Sequence, residues 1–306
     1  MNLREAFGEA LVDLATKYDF YLFDADVANG TGTHHFKKAY PDRFIQCGIA
    51  EQNMICASAG FAMESGLPVF ATTFAVFALR GIEQARLSIA YAGANVKVVA
   101  SHPGLDVGPD GASAQCLEDL ACWRGIPDMI VVSPCDTKDI HGATEAILKH
   151  DGPVYMRTGR SPVPEVNGPA FRLGKAEYLR RGKDVTLVAC GVMVSRALNA
   201  ATTLCSEGIE ATVLNMSTIK PIDGAKLYDC AKETGCFVTC EDHNIHGGLG
   251  SAVAEELVQI APSPVEFVGV NDTFGESGTP EELPRKYGIS TEYIVSAAKD
   301  VIWRKR

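Results

Sequence analysis

Glu51 lies in Gly48-Ile49-Ala50-Glu51-Gln52-Asn53, between a short apolar run and a longer helical pattern. A carboxyl group at a strand-to-helix junction sits where α/β enzymes place their sites. The positive end of a helix favours an acid there for purely structural reasons too. Phe74 and Phe77, three apart at another strand end, share a face once a helix has begun. They would frame a slot for a flat ring, or pack as ordinary core. His102 and Asp110 are the polar candidates in the Gly/Pro-rich run 101–115, and long loops of this kind carry function. Arg157 follows a further strand-like run and is placed to clamp an anionic substrate group, with Arg4 of the first helix as a weaker companion.

Two other patterns point elsewhere. Cys236, Cys240, His243 and His246 are soft ligands close in sequence, a zinc-like grouping. The two cysteines straddle a strand, which spreads them along its length, so no metal site is expected. Gly247-Gly248-Leu249-Gly250 before a helix suits either an anion cradle or close packing, and it lacks the G-x-G-x-x-G spacing of a dinucleotide fingerprint.

These residues need elements to hold them. Strand patterns fall at 21–24, 44–47, 68–72, 96–101, 129–132 and 154–157. Helical patterns fall between most of them, at 3–17, 51–66, 77–92, 114–123 and 138–149. Alternation of this kind predicts an α/β fold, a mainly parallel sheet with helices on both faces. A stretch with three prolines at 161–171 reads as a linker. A second alternating set follows: strands 185–190, 211–215, 237–241 and 265–270, with helices 195–207, 225–234, 250–260 and 290–303. The expected organisation is two α/β domains, 1–165 and 172–306.

The 306 residues suffice for two such domains. A net charge of −10 argues against a nucleic-acid partner, which wants a basic face. Ten cysteines without a C-x-x-C pair read as reduced, buried small hydrophobes (Cys190, Cys205, Cys230 and Cys236 lie in apolar runs), fitting a cytoplasmic protein. The acidic amphipathic start is unlike a signal peptide, and no apolar run is long enough for a membrane span.

Taken in order, RFIQCGIAEQN, TTFAVF, NVKVVASHPGLDVGPDGAS, EDLACWRGIPDM and GPVYMRTGR resemble the pyrimidine-binding domain of the transketolase family, and EDHNIHGGLGSAVAE resembles its C-terminal domain. The resemblance covers nearly the whole chain. It implies thiamine diphosphate as cofactor and transfer of a two-carbon ketol unit from a ketose to an aldose. Full-length members carry a further N-terminal domain, with a Gly-Asp-Gly motif that holds Mg²⁺ (or Ca²⁺) and the diphosphate. That motif is absent here, and Met1 opens the pyrimidine-binding domain. The resemblance therefore implies a separate N-terminal partner subunit, a site at the interface of the two chains, and an α2β2 heterotetramer.

By resemblance, Glu51 meets the ring nitrogen of the cofactor's aminopyrimidine, and burial is expected to raise its pKa. Phe74 and Phe77 cradle that ring, and Asp26 lies near cofactor and substrate. Asp110 binds the hydroxyl next to the substrate carbonyl. Arg4, His102 and Arg157 hold the sugar's terminal phosphate.

Two positions depart from the family pattern. Ala114 stands where many members have a proton-transferring histidine, and Gly30 where a phosphate-binding serine is usual. The loss of a hydroxyl donor implies a different terminal anion or sugar length, such as a sulfonated or branched sugar. The rival readings are a 2-oxoacid dehydrogenase β subunit, a 1-deoxyxylulose-5-phosphate synthase, and a non-catalytic assembly subunit of the same fold.

Overall fold

The computed structural model describes every residue except Asn167 and Arg306. Asn167 falls in the predicted linker and Arg306 ends the second predicted domain, so those two positions lie outside the described residues. The chain forms two sheets. The first contains β1 (Tyr21–Asp24), β2 (Phe44–Gln46), β3 (Val69–Phe74), β4 (Val96–Ser101), β5 (Ile130–Val132) and β6 (Val154–Thr158). The second contains β7 (Glu177–Arg180), β8 (Val185–Ala189), β9 (Ala211–Asn215), β11 (Phe237–Asn244) and β12 (Val265–Val270). A short strand between β9 and β11 in sequence, β10 (Thr218–Lys220), crosses back to the first sheet.

The orders are β10-β5-β6-β4-β3-β1-β2 and β12-β11-β8-β9-β7. All pairings are parallel except those of β10 with β5 and β7 with β9, both at sheet edges. Parallel strands need both faces covered. Accordingly β3, β4, β6, β8 and β9 are buried almost throughout, with Val, Thr and Ala the commonest residues. The two sheets share core. Met54, Ile55, Trp123 and Val131 belong to one apolar cluster with Met216, Phe237, Leu249 and Val253.

Local signals set several helix starts. Asn2 caps the helix Leu3–Leu14 by accepting from the Glu5 amide at 3.0 Å, and Asp136 caps Thr137–Lys149 through Asp139 N at 2.7 Å.

Three expectations need correction. The helix foreseen at 77–92 is broken into short pieces, Ala75–Ala78, Leu79–Gly81 and Ile82–Gln84, followed by a π-helical stretch Ala85–Tyr91. The cause is a close approach: a Cβ on Gly81 would lie 2.3 Å from Ile55 Cδ1 of the helix Glu51–Ser65, so the backbone tightens there. The helix foreseen at 114–123 starts only at Asp119, because tertiary bonds claim the preceding residues. Gly104 N donates to Cys116 O at 2.8 Å. Finally, Cys205 is exposed, whereas Cys190, Cys230 and Cys236 are buried, and all ten cysteines are free.

Candidate active site

The loops that follow β6, β4, β3, β1 and β2 leave the first sheet at one edge, beyond its carboxyl ends. Sheet order therefore fixes an order across that edge: Arg160, then His102, then Phe74, then Asp26 and Gly30, then Glu51. This is where parallel sheets hold ligands.

Glu51 opens the helix Glu51–Ser65 and is 2 % exposed. Its Oε2 accepts from Arg80 Nη1 at 3.1 Å, and that arginine is largely exposed. Sequence reasoning gave Arg80 no role. The signal was its position one turn beyond Phe77, in the segment that Gly81 draws against Ile55. Phe74 and Phe77 face each other nearly parallel, 5.4 Å between centroids at 13°. Phe74 also covers His102 at 3.9 Å, and a Cβ on Gly30 would meet Phe74 Cε1 at 2.4 Å. Glycine at 30 thus gives the ring its place.

Asp24, which the sequence reading passed over, organises the loop after β1. Its carboxylate accepts from Thr72 Oγ1 at 2.8 Å, Val27 N at 2.8 Å and Thr33 Oγ1 at 3.2 Å. Burial raises its pKa, and these donors oppose the rise. Asp26 then adopts a positive φ of 64° and is bracketed by Gln46, which donates to its Oδ1 at 3.2 Å and accepts from its amide at 3.0 Å.

Two arginines gather around His102 at the β4–β6 end. Arg4 Nη1 donates to Gly30 O at 3.1 Å, while its Nε is buried without a partner. Arg160 Nη1 reaches Asp110 Oδ1 at 3.1 Å and also bonds Val107 O. His102 has φ 60° and its Nδ1 lies 2.8 Å from Ser101 Oγ. Burial foremost, then the Arg4 and Arg160 charges, lower the His102 pKa to about 4, with Asp110 opposing. His102 is therefore neutral near pH 7 in this structure.

Arg157 is placed differently from the expectation. Its side chain is almost wholly buried between the two sheets and is committed to Asp119, with Nε donating to Oδ2 at 2.7 Å and Nη2 bonding Oδ1. Nη1 donates to Asp242 O at 3.0 Å. Burial alone would raise the Asp119 pKa; the guanidinium beside it wins and holds the carboxyl below its usual value. Tyr155 adds a hydroxyl to Asp119 at 2.6 Å and stacks on Trp123 at 4.6 Å. Arg157 is thus an interdomain strut, and Arg160, three residues on, reaches Asp110. Residues three apart on an extended strand point to opposite faces, so only the strand's end, at Thr158, freed Arg160 to turn inward.

The Gly247–Gly250 turn is an anion cradle filled from within. Glu241 Oε2 and Oε1 accept from Leu249 N at 2.7 Å and Gly250 N at 2.8 Å. A Cβ on Gly248 would fall 2.0 Å from Glu241 Oε2. Burial raises the Glu241 pKa to about 7 against those two amides. Beside it His243 is pushed down to about 4 by burial and then by Arg157. Among the described residues, Cys236, Cys240, His243 and His246 do not converge as metal ligands; Glu5, His34 and His35 do come within 4.8 Å of one another. Arg4 Nε stands 4.0 Å from that Glu5, a cation already at the grouping.

A stability prediction follows from the two histidines. Their pKa values lie near 4 in the fold and near 6.5 when unfolded, so between those values the unfolded chain binds more protons and stability falls as pH drops. Glu241, near 7 in the fold and 4.5 unfolded, opposes this, as do the raised carboxyls of Asp24 and Asp242. The histidine share is read by difference: His102→Gln is expected to lose less melting temperature, or gain more, than the unaltered chain between pH 6.5 and 4.5. The same pH dependence in both contradicts the assignment.

The fold defines the class: a two-sheet α/β chain whose candidate residues line up beyond the carboxyl ends of a mainly parallel sheet. The model of the transketolase pyrimidine binding domain matches residues 1–165, and that of the transketolase C-terminal domain matches residues 174–294. A 6-deoxy-6-sulfo-D-fructose transketolase subunit, SqwH of Clostridium sp. (strain MSTE9), is 42% identical over 99% of this chain and 95% of its own. One of the subunits of an apulose-4-phosphate transketolase, from Phocaeicola vulgatus, is 36% identical over 98% and 97%. A solved structure of a split gene transketolase, described as an inactive β4 tetramer, superposes with a TM-score of 0.93 at 46% identity, covering 100% of both chains. The chain belongs to the transketolase family, whose chemistry depends on thiamine diphosphate.

Proposed function

We propose that this chain is the C-terminal subunit of a split, thiamine-diphosphate-dependent transketolase, active only with an N-terminal partner subunit that holds Mg²⁺ and the diphosphate. The observation that carries the reading is the buried Glu51 carboxyl on the same sheet edge as the parallel Phe74/Phe77 pair. These residues fit an aminopyrimidine: a flat apolar face, and a carboxyl able to share a proton with a ring nitrogen. The bound cofactor supplies the electron sink that lets a carbon–carbon bond next to a carbonyl break and re-form.

The chain's own groups do the rest. Glu51 would hold a proton at the pyrimidine nitrogen, in place of or beside its bond to Arg80. Phe74 and Phe77 orient the ring and exclude water. Asp26 borders the reacting centre, Asp110 takes a substrate hydroxyl, and neutral His102 with Arg4 holds the terminal anion. In place of Arg157 we assign Arg160 as the second cation of that pocket. The relative described as an inactive β4 tetramer supports the need for a partner. The working assembly is then α2β2, in the cytoplasm.

Gly30 bears on the substrate. With Phe74 occupying the space of a side chain at 30, the pocket lacks one hydroxyl donor and suits a terminal anion or sugar unlike that of ordinary pentose phosphates. Relatives named for a sulfonated and for a branched sugar support this. Mixing the chain with its partner subunit, thiamine diphosphate and Mg²⁺ is expected to yield ketol transfer that neither chain shows alone. Turnover on 6-deoxy-6-sulfo-D-fructose or apulose 4-phosphate should exceed that on D-xylulose 5-phosphate with ribose 5-phosphate. Activity of the isolated chain removes the partner requirement, and faster turnover on the pentose phosphates removes the specialised substrate. Gly30→Ser should push Phe74 aside, at a cost of about 1–3 kcal/mol for an overpacked site. It is read as a roughly 5- to 150-fold rise in the cofactor concentration needed for half activity; no change means that the ring moves freely.

A further inference from the structure

The loop that carries Asp110 is shaped less by its own domain than by the second one. At its base, Asp242 at the end of β11 is 4 % exposed, and its two carboxylate oxygens accept from Leu105 N at 2.9 Å and Asp106 N at 3.1 Å. The approach is so close that a Cβ on Gly104 would lie 2.4 Å from Asp242 Cγ. Asp106 carries the constraint on, accepting from Ser161 N at 2.8 Å and Arg160 N at 3.2 Å, so the loop is tied to the segment bearing Arg160.

At its tip, the buried Gln115 ties the loop to the segment after β12. Its Nε2 donates to Gly108 O at 3.2 Å within the loop and to Glu276 O at 2.9 Å in the second domain. Gly108 and Gly111, both at positive φ, lie where that segment comes nearest. A Cβ on Gly108 would be 3.2 Å from Pro280, and one on Gly111 would be 2.7 Å from Ser277 Oγ. Both ends of the loop are therefore moulded by the C-terminal domain, with glycines at the points of contact.

We propose that Asp242 and Gln115 are positioning residues, through which the second domain holds Asp110 and Arg160 in register for the substrate. Neither touches the ring slot of Glu51, Phe74 and Phe77. The inference rests on the reading of Asp110 as a substrate-binding group, and it gives the C-terminal domain a part in substrate binding without contact to substrate.

Gln115→Ala and Asp242→Asn, each in complex with the partner subunit, test it. Hydrogen exchange at residues 104–111 should quicken at least tenfold in both. The KM for a ketose donor, D-xylulose 5-phosphate or 6-deoxy-6-sulfo-D-fructose, should rise roughly tenfold, the loss of one to two hydrogen bonds. Cofactor affinity, read by fluorescence quenching, should stay within about twofold. Unchanged exchange at 104–111 in a folded variant overturns the latch. Faster exchange with unaltered KM overturns its role in binding, and an equal loss of cofactor affinity marks mere destabilisation and also overturns it. If Asp242→Asn does not fold, Gln115→Ala decides alone. If the wild-type complex transfers no ketol unit, the functional reading fails, while the exchange experiment still decides whether the second domain orders the loop.

Discussion

Glu51→Gln in the complex with its partner subunit should lower turnover by about 10²–10⁴-fold, the range that a positioned acid–base group contributes. The substitution keeps the shape of the side chain and changes what it can do with a proton. In the fold Glu51 is buried, and its side-chain hydrogen bond goes to the exposed Arg80, so the amide can be housed without rebuilding the helix. The melting temperature should accordingly stay within a few degrees, separating lost chemistry from lost structure. Cofactor binding should weaken far less than turnover, because the Phe74/Phe77 face is untouched. Stopped-assay turnover with thermal unfolding on the same preparation checks this. A variant that keeps a tenth or more of wild-type turnover would remove Glu51 from the chemistry. It would favour a subunit that serves assembly alone.

The largest structural effect is expected at Arg157. Replacement by Met removes the arginine bonded to Asp119, whose carboxylate is fully buried. A buried charge stripped of its partner costs about 3–5 kcal/mol. Urea unfolding should show a loss of that size. The double variant Arg157→Met/Asp119→Leu should recover a large part of the loss, since no charge is then left unpaired. Additive losses in that cycle would mean that the two side chains act independently. Arg160→Ala supplies the contrast: its partner Asp110 is exposed, so stability should change by under about 1 kcal/mol. The KM for an anionic donor should rise. If Arg157→Met instead raised KM with stability intact, the clamp role would belong to Arg157 after all.

The alternation of apolar runs and helical patterns was enough to predict two mainly parallel α/β sheets, because a buried parallel strand is largely apolar and its crossover helix amphipathic. Motif order was enough to name the family. Both are local properties, written in consecutive residues. The edge strands β7 and β10 were missed for the same reason: short edge strands have little pattern of their own, and their partners lie far along the chain. The break at Gly81 and the late start of the Asp119 helix likewise came from contacts with Ile55 and Gly104.

The sequence by itself determined which residue types stand at the strand ends, since strand ends are set by where the apolar runs stop. Tertiary structure decided which of those side chains face the crevice. Arg157 and Arg160 look alike in sequence, and only the fold bonds one to the buried Asp119, with Asp242 of the second domain beside it, and leaves the other, past the strand's end, next to Asp110. It also decided that the glycine-rich turn at 247–250 is satisfied by Glu241 rather than by a ligand. Charge partners are chosen by distance in space, and no short-range pattern encodes a neighbour that arrives from another sheet.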